Sequence, residues 1–393
     1  MNVVKLKELS INNRGYYGIG APAINYDKNN FVYLRITDIK DNGEINKDSL
    51  MSVEDSKASQ YILEKNDIVF ARTGASAGRN YFYDGEIQNM VYAGFLIKFS
   101  LNSNLVNPRY VKYYCLSPKY RDWICSSLTG STRPNINEKQ LSEMPIELPE
   151  RTYQDKVVKI LDSITKKIEL NNQINNNLQE QLQIYFEEKI NKYKNKELPD
   201  GWKIMKLKDI SIFSQGVQVP IEQQVEKIDE KHKVRFIRIV DITQRNDKDI
   251  RYIEVKQRGY VEEKDIFMIR YGTPGILSRN YKGIIANNLF KITPRDFVTS
   301  EYLFSALNSS EIQCYIKQNA TSSTMPAISF GTLNDQEIIV ADQITVDEFS
   351  KYSDLIRRKQ LNLIKENEIL GELRDTLLPK LMNGEINLDN VEI

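Results

Sequence analysis

The chain is written twice, and no other feature limits its fold so strongly. Lys5-Leu6-Lys7-Glu8-Leu9-Ser10 returns about two hundred residues on as Lys206-Leu207-Lys208-Asp209-Ile210-Ser211. Tyr33-Leu34-Arg35-Ile36-Thr37-Asp38-Ile39 returns as Phe236-Ile237-Arg238-Ile239-Val240-Asp241-Ile242. Glu64-Lys65-Asn66-Asp67-Ile68 and Thr129-Gly130-Ser131-Thr132 recur as Glu262-Glu263-Lys264-Asp265-Ile266 and Thr321-Ser322-Ser323-Thr324, in the same order. The spacing drifts slowly, as loop insertions make it do. Solenoid repeats have periods of about 20–50 residues, so this is a duplicated domain and not a stacked array.

Each half has two textures. Residues 1–150 read as strand-rich, with β-branched and aromatic runs at 31–39, 67–70 and 92–99 bounded by turn residues. A helix is expected at 108–117. Residues 198–343 repeat the plan at 235–242, 266–271 and 283–292, with a helix at 300–307. Residues 151–197 contain neither Pro nor Gly, and Val157, Leu161, Ile164, Ile168, Leu178, Leu182 and Tyr185 recur at a spacing of three and four. Asn171 and Asn175 lie in the same seam, where a buried Asn fixes register at a cost in stability. Residues 344–393 carry a seven-residue repeat of Phe349, Ile356, Leu363, Leu370 and Leu377, which Pro379 should bend or end. Two such helices of 30–38 residues would each span roughly 45–57 Å. The simplest partner for each seam is the other, as an antiparallel coiled coil; the alternative is two independent surface helices. The fold class is therefore α+β, with two tandem strand-rich α/β domains, each followed by a long helix.

Composition narrows the function. A chain of 393 residues with 41% hydrophobic and 27% charged residues can bury two or three cores. No run approaches the ~20 apolar residues of a membrane span. Val3-Val4 is followed by Lys5 and Lys7, unlike a signal peptide. Cys115, Cys125 and Cys314 have no metal-type spacing and suit a reducing cytoplasm. The single histidine, His232, lies in a charged run, which argues against a Ser-His triad or a His-based metal site. A net charge of +1 neither announces nor excludes a nucleic-acid partner, because local patches steer binding.

Three segments resemble the specificity subunits of type I restriction–modification enzymes. They are Leu148-Pro149 with Gln154, Leu198-Pro199-Asp200-Gly201-Trp202, and the run Leu377-Leu378-Pro379-Lys380-Leu381-Met382-Asn383-Gly384-Glu385-Ile386. Two departures stand out: the first domain lacks the Pro-x-Gly-Trp lead-in of the second, and Ile339-Val340-Ala341-Asp342-Gln343 enters the second helix without Leu-Pro. The resemblance implies target-recognition domains at 1–150 and 198–343, with conserved helical spacers at 151–197 and 344–393. It implies a non-catalytic scaffold that reads bipartite double-stranded DNA. Its partners would be two methyltransferase subunits and restriction/translocase subunits, which would hold S-adenosylmethionine, ATP and Mg.

Phosphates call for cations and amides, and base edges for forked donors or acceptors. Gly-containing loops after strands offer these. In the first domain the candidates are Arg72, Thr73, Ser76, Arg79, Asn80 and, from a second loop, Arg133. In the second they are Arg270, Tyr271, Thr273, Arg279, Asn280 and Lys282. The loops differ between halves, Ser76 against Pro274 and Arg133 against Met325, so the half-sites should differ. Leu161, Ile164, Ile168, Leu178, Leu182, Ile356, Leu363, Leu370 and Leu377 are candidates for the helix seam or a partner contact. Arg35 and Arg238 read as structural partners of Asp38 and Asp241.

Two rival functions are weaker. A stand-alone methyltransferase or nuclease needs motifs the chain lacks: Asn107-Pro108-Arg109-Tyr110 misses the second Pro of an adenine-methyltransferase motif and has no Gly-rich methyl-donor loop upstream. The other is a protein-only scaffold whose coiled coil gathers partners without touching DNA; a methyltransferase gene in the same operon would favour the DNA reader over it.

Overall fold

The computed structural model describes residues 2–128, 134–243, 249–256, 258–320 and 326–388. The chain folds as two compact units, Met1–Glu169 with Asn367–Ile393, and Leu170–Glu366. Both are mixed α/β.

In the first unit the strand Asn2–Lys5 pairs antiparallel with Pro145–Leu148. A four-stranded sheet runs in the order Tyr16–Tyr17, Leu96–Ser100, Asp67–Ala71, Asn80–Tyr83. A three-stranded sheet runs Met51–Val53, Phe31–Leu34, Met90–Tyr92, its last pair parallel. Asp67–Ala71 is buried at all five positions, which its run of Ile68, Val69 and Phe70 favours. The second unit repeats this plan. Lys203–Lys206 pairs with Glu337–Val340, and Ser211–Gln215, Leu289–Pro294, Ile266–Ile269 and Leu277–Ser278 form the matching four-stranded sheet. Arg251–Glu254, His232–Ile237, Gly283–Ile285 and Tyr260–Val261 form the other, with the same parallel central pair.

Several strands stop earlier than their apolar runs. Phe31–Leu34 ends before Arg35 because Asp38 accepts the Arg35 backbone N–H at 2.8 Å and turns the chain. Asp241 does the same to Arg238 at 2.7 Å, so His232–Ile237 is followed by a short helix, Ile239–Thr243. The run at 92–99 divides into two strands around Ala93-Gly94, and that at 283–292 around Asn287. The helix expected at 108–117 is Pro108–Tyr114, and a second helix, Pro118–Ser127, follows it. Ser300–Leu307 matches its expectation.

The first long helix is Arg151–Lys189, shorter than the expected 151–197, because a 3-10 turn at Asn191–Tyr193 follows it. The second is Gln343–Met382 and passes through Pro379. Pro379 costs one helical donor so near the end that only the last turn feels it, and the Pro379 carbonyl accepts the Asn383 N–H at 2.9 Å.

Within the first unit, Val157, Val158 and Leu161 pack with Leu378, Leu381 and Met382 and with Tyr110, Tyr113 and Tyr114. The Tyr153 hydroxyl donates to the Leu381 carbonyl at 3.0 Å. Within the second unit, Leu178, Leu182 and Phe186 pack with Val346, Phe349 and Ile356 and with Tyr302 and Leu303. Ile164 is buried, while Ile168, Leu363, Leu370 and Leu377 are half-buried. The polar stretch of the seam lies inside: Asn171 is fully buried and donates to Glu366 at 2.8 Å, and Gln360 donates to the Asn175 carbonyl at 3.1 Å.

Candidate nucleic-acid interface

The loop that follows Asp67–Ala71 is held at both ends. Its near end joins the segment 134–136: Thr73 bridges Asn135, the Gly74 N–H donates to the Pro134 carbonyl at 3.0 Å, and the Ile136 N–H to the Arg72 carbonyl at 2.8 Å. A third segment closes the group, since the Arg72 N–H donates to the Phe95 carbonyl at 3.0 Å. The second unit builds the same arrangement. Tyr271 bridges Ala327, Gly272 donates to Pro326 at 2.8 Å, Ile328 to Arg270 at 3.1 Å, and Arg270 to Asn288 at 2.9 Å. Residues 134–136 thus lie against the loop after Asp67–Ala71, and residues 326–328 against the loop after Ile266–Ile269.

Glycines set the shape of this surface. Gly74 and Gly272, at the tips, have φ of +71° and +80°, and among the described residues no atom lies within 4 Å of a Cβ placed there. The left-handed backbone suits glycine. Gly78 and Gly275, at the far ends, also have positive φ, and a Cβ would lie 2.5 Å from Ile124 and 2.8 Å from Ile316. There the loop is pressed against a helix of its own domain.

One arginine stands at the centre of each cluster. Arg72 lies 5.0 Å from the centre of the Tyr17 ring, and its Nε is buried with no hydrogen-bond partner among the described residues. Arg270 lies 4.8 Å from the Tyr271 ring and 5.9 Å from Phe330, and its Nε donates to the Ile328 carbonyl at 3.2 Å. Stacking aligns a planar guanidinium and leaves its outer edge for an acceptor. Thr73, Ser76 and Tyr271 are half-buried beside these arginines, and Thr273 is exposed.

Other candidates serve the fold. Asn80 is buried in its strand and donates to the Cys115 carbonyl at 2.9 Å, which corrects its expected role. Arg279 is corrected too: it is buried, 4.1 Å over the Phe304 ring. Burial pulls its pKa down to about 10, against the favourable charges of Glu301 and Asp354. Arg79 is paired with Asp41 at 2.7 Å, and Lys282 with Glu262 at 3.3 Å, both near solvent. Asn280 has φ of +69° and accepts from Arg357 at 3.5 Å. Arg133 lies outside the described residues. The matched ion pairs Arg35–Asp38 and Arg238–Asp241 are present, at 2.7 and 3.1 Å.

Sequence reasoning missed the residues that flank each arginine. They are Tyr17 and Phe95 in the first unit, and Gln215, Asn287 and Asn288 in the second. Their signal was present: an aromatic after Ala93-Gly94, and Asn-Asn between two apolar strands.

Residues 1–180 match the family described as the type I restriction modification DNA specificity domain. Across 91% of this chain and 92% of the relative, the sequence is 24% identical to the type I restriction enzyme HindI specificity subunit of Haemophilus influenzae. Over most of its length the chain is thus similar to type I restriction enzyme specificity subunits, and its first 180 residues match that family's domain. A second specificity subunit, MjaIX of Methanocaldococcus jannaschii, is 23% identical over 72% of this chain and 70% of its own. The fold of the chain is similar to that of the S subunit of a type I restriction–modification system from M. genitalium, with a TM-score of 0.50, 17% identity, and coverage of 97% of this chain and 95% of that one.

Proposed function

We propose that this chain is a type I specificity subunit that reads an asymmetric, bipartite double-stranded DNA sequence, one half-site with each loop cluster. The observation that carries the reading is the pair of clusters with matching backbone hydrogen bonds, each holding an arginine beside an aromatic ring two residues before a positive-φ glycine. Equal clusters would read equal half-sites; these differ at Tyr17 against Gln215 and at Phe95 against Asn288. The chemistry of methyl transfer and cleavage then belongs to other chains, two modification subunits and the restriction subunits, assembled on this one in the cytoplasm. Residues 1–150 and 198–343 act as target-recognition domains.

The two long helices pair as an antiparallel coiled coil and set the length of unread spacer. Each contact of that seam supports the reading: the start of the first helix touches the end of the second in one unit, and the reverse holds in the other. Helices of 39 and 40 residues have a length of roughly 60 Å each.

The test is methylation mapping in cells that express the chain with its methyltransferase. One asymmetric bipartite motif is expected, and a single palindromic motif defeats the proposal. Arg72→Ala should relax one half-site only, and Arg270→Ala the other, each by about 1–3 kcal/mol of base discrimination.

A further inference from the structure

The clusters match in backbone and differ in chemistry. Phe95 and Asn288 occupy one place, because each carbonyl accepts the N–H of its cluster arginine. Gly94 and Asn287 precede them. Tyr17 and Gln215 also correspond, since the next residues, Gly18 and Gly216, donate to Leu96 and Leu289 at 3.2 and 3.1 Å. Around Arg72 the surface is therefore aromatic: Tyr17 is 42% exposed and Phe95 is 59% exposed. Around Arg270 it is amide: the Gln215 side chain donates to the Asn287 carbonyl at 3.1 Å, and the Asn287 amide reaches exposed Gln218 at 3.5 Å. The Asn288 Oδ1 is buried with no partner among the described residues.

We infer that the two half-sites are discriminated by different contacts, Phe95 against the methyl group of a thymine and the Asn287–Gln218 amides against the N6 and N7 edge of an adenine. This rests on the proposed reading of the loop clusters. An exposed Phe on a turn held by three hydrogen-bonded segments has apolar area and no core to place it in. The thymine methyl is the apolar group that the major groove presents. A primary amide sets an N–H donor and a carbonyl acceptor side by side, spaced to match adenine N7 and N6–H₂. The Gln215 bond fixes the Asn287 backbone, so the amide is presented from a rigid turn.

Atom-level base analogues test this on the full chain with its methyltransferase, using duplexes of the mapped motif. Replacing one thymine by uracil in the first half-site removes only the methyl group and should weaken binding about fivefold or more. Phe95→Ala should bind both duplexes equally. Replacing one adenine by 7-deazaadenine in the second half-site should weaken binding similarly, and Asn287→Ala should remove that difference. Both side chains lie on turns outside the core, so an unchanged thermal transition verifies the fold. If wild type ignores both analogues, or the variants still discriminate, the inference is overturned. Arg72→Ala and Arg270→Ala separate the two failures. If they weaken binding while the Phe95 and Asn287 variants change nothing, only the contact assignment falls. If they too change nothing, the reading of the clusters falls with it.

Discussion

Asp162, on the first long helix, holds the first domain through two contacts. Its carboxylate lies 2.7 Å from the Arg109 Nε and accepts the Tyr113 hydroxyl at 2.6 Å. Tyr113 is 2% exposed and Asp162 14% at the side chain. Asp162→Ala leaves a buried hydroxyl without its acceptor, which costs about 1–2 kcal/mol. It also breaks an ion pair. Arg109 keeps Asp84 at 2.8 Å and is about one-third exposed, so screening and the second acid reduce that loss to about 1 kcal/mol. The expected loss is about 2–3 kcal/mol. Asp162→Asn retains an acceptor for Tyr113 and should lose about half as much. Tyr113→Phe in the Asp162→Ala background should recover part of the loss, because no hydroxyl is then stranded. Urea denaturation of the purified subunit reads the order directly, with an unchanged m-value marking a stability effect. Asp162→Ala within about 0.5 kcal/mol of wild type would refute the reasoning, as would Asn proving worse than Ala.

Burial raises the hydroxyl pKa of Tyr110, Tyr113, Tyr114, Tyr120 and Tyr302 above the ordinary 10.0. Folded values above unfolded ones give stability that is full below pH 10 and lost above it, as the unfolded chain ionises first. Tyrosinate absorbance and loss of circular dichroism should therefore rise together above pH 10, and full titration with the fold intact would contradict this. Asn171→Leu replaces a fully buried amide in the helix seam and should raise the thermal midpoint while relaxing register; a lower midpoint would show that the polar layer stabilises the pair. Gly78→Ala drives a Cβ to within 2.5 Å of Ile124 and should cost more than Gly74→Ala, where the space is open and only positive φ opposes the change. Equal losses in urea denaturation would remove the packing argument.

Much of the fold was legible because the duplication shows each block twice and the helix seams have a clear period. Strand ends were less legible. Arg35 and Arg238 sit in apolar runs that read as strand, yet a side chain three residues on captures the backbone N–H and ends the strand. The loops at 72–78 and 270–275 stood out by their glycines, but which side chains face outward depends on packing partners distant in sequence. Asn80 and Asn287 are both asparagines beside apolar strands. Only the distant Cys115 carbonyl makes the first a structural donor, while the second stands on a turn. Phe95 lies inside the run 92–99 that read as one strand; the chain turns at Ala93-Gly94 and leaves its side chain exposed.

The comparison between halves separates what the fold needs from what is free to differ. Lys5 and Lys7 pair with Glu143, and Lys206 and Lys208 pair with Asp335. Lys98 pairs with Asp67, and Lys291 with Asp265. These contacts lie inside the domains and keep their sign. The contact between domain and helix does not. Asn107-Pro108-Arg109-Tyr110 and Thr299-Ser300-Glu301-Tyr302 start equivalent helices, and the third residue reverses from Arg109 to Glu301. Asp354 stands where Asp162 does, so an acid now faces an acid. The second unit compensates with Arg357, 2.8 Å from Asp354 and 3.8 Å from Glu301, and with Arg279 nearby. An arginine moved to position 301 would meet two arginines in a nearly closed site. A buried pair broken on one side is strongly destabilising, so each domain is matched to its own helix, and divergence there is tied while divergence at the loop tips is free.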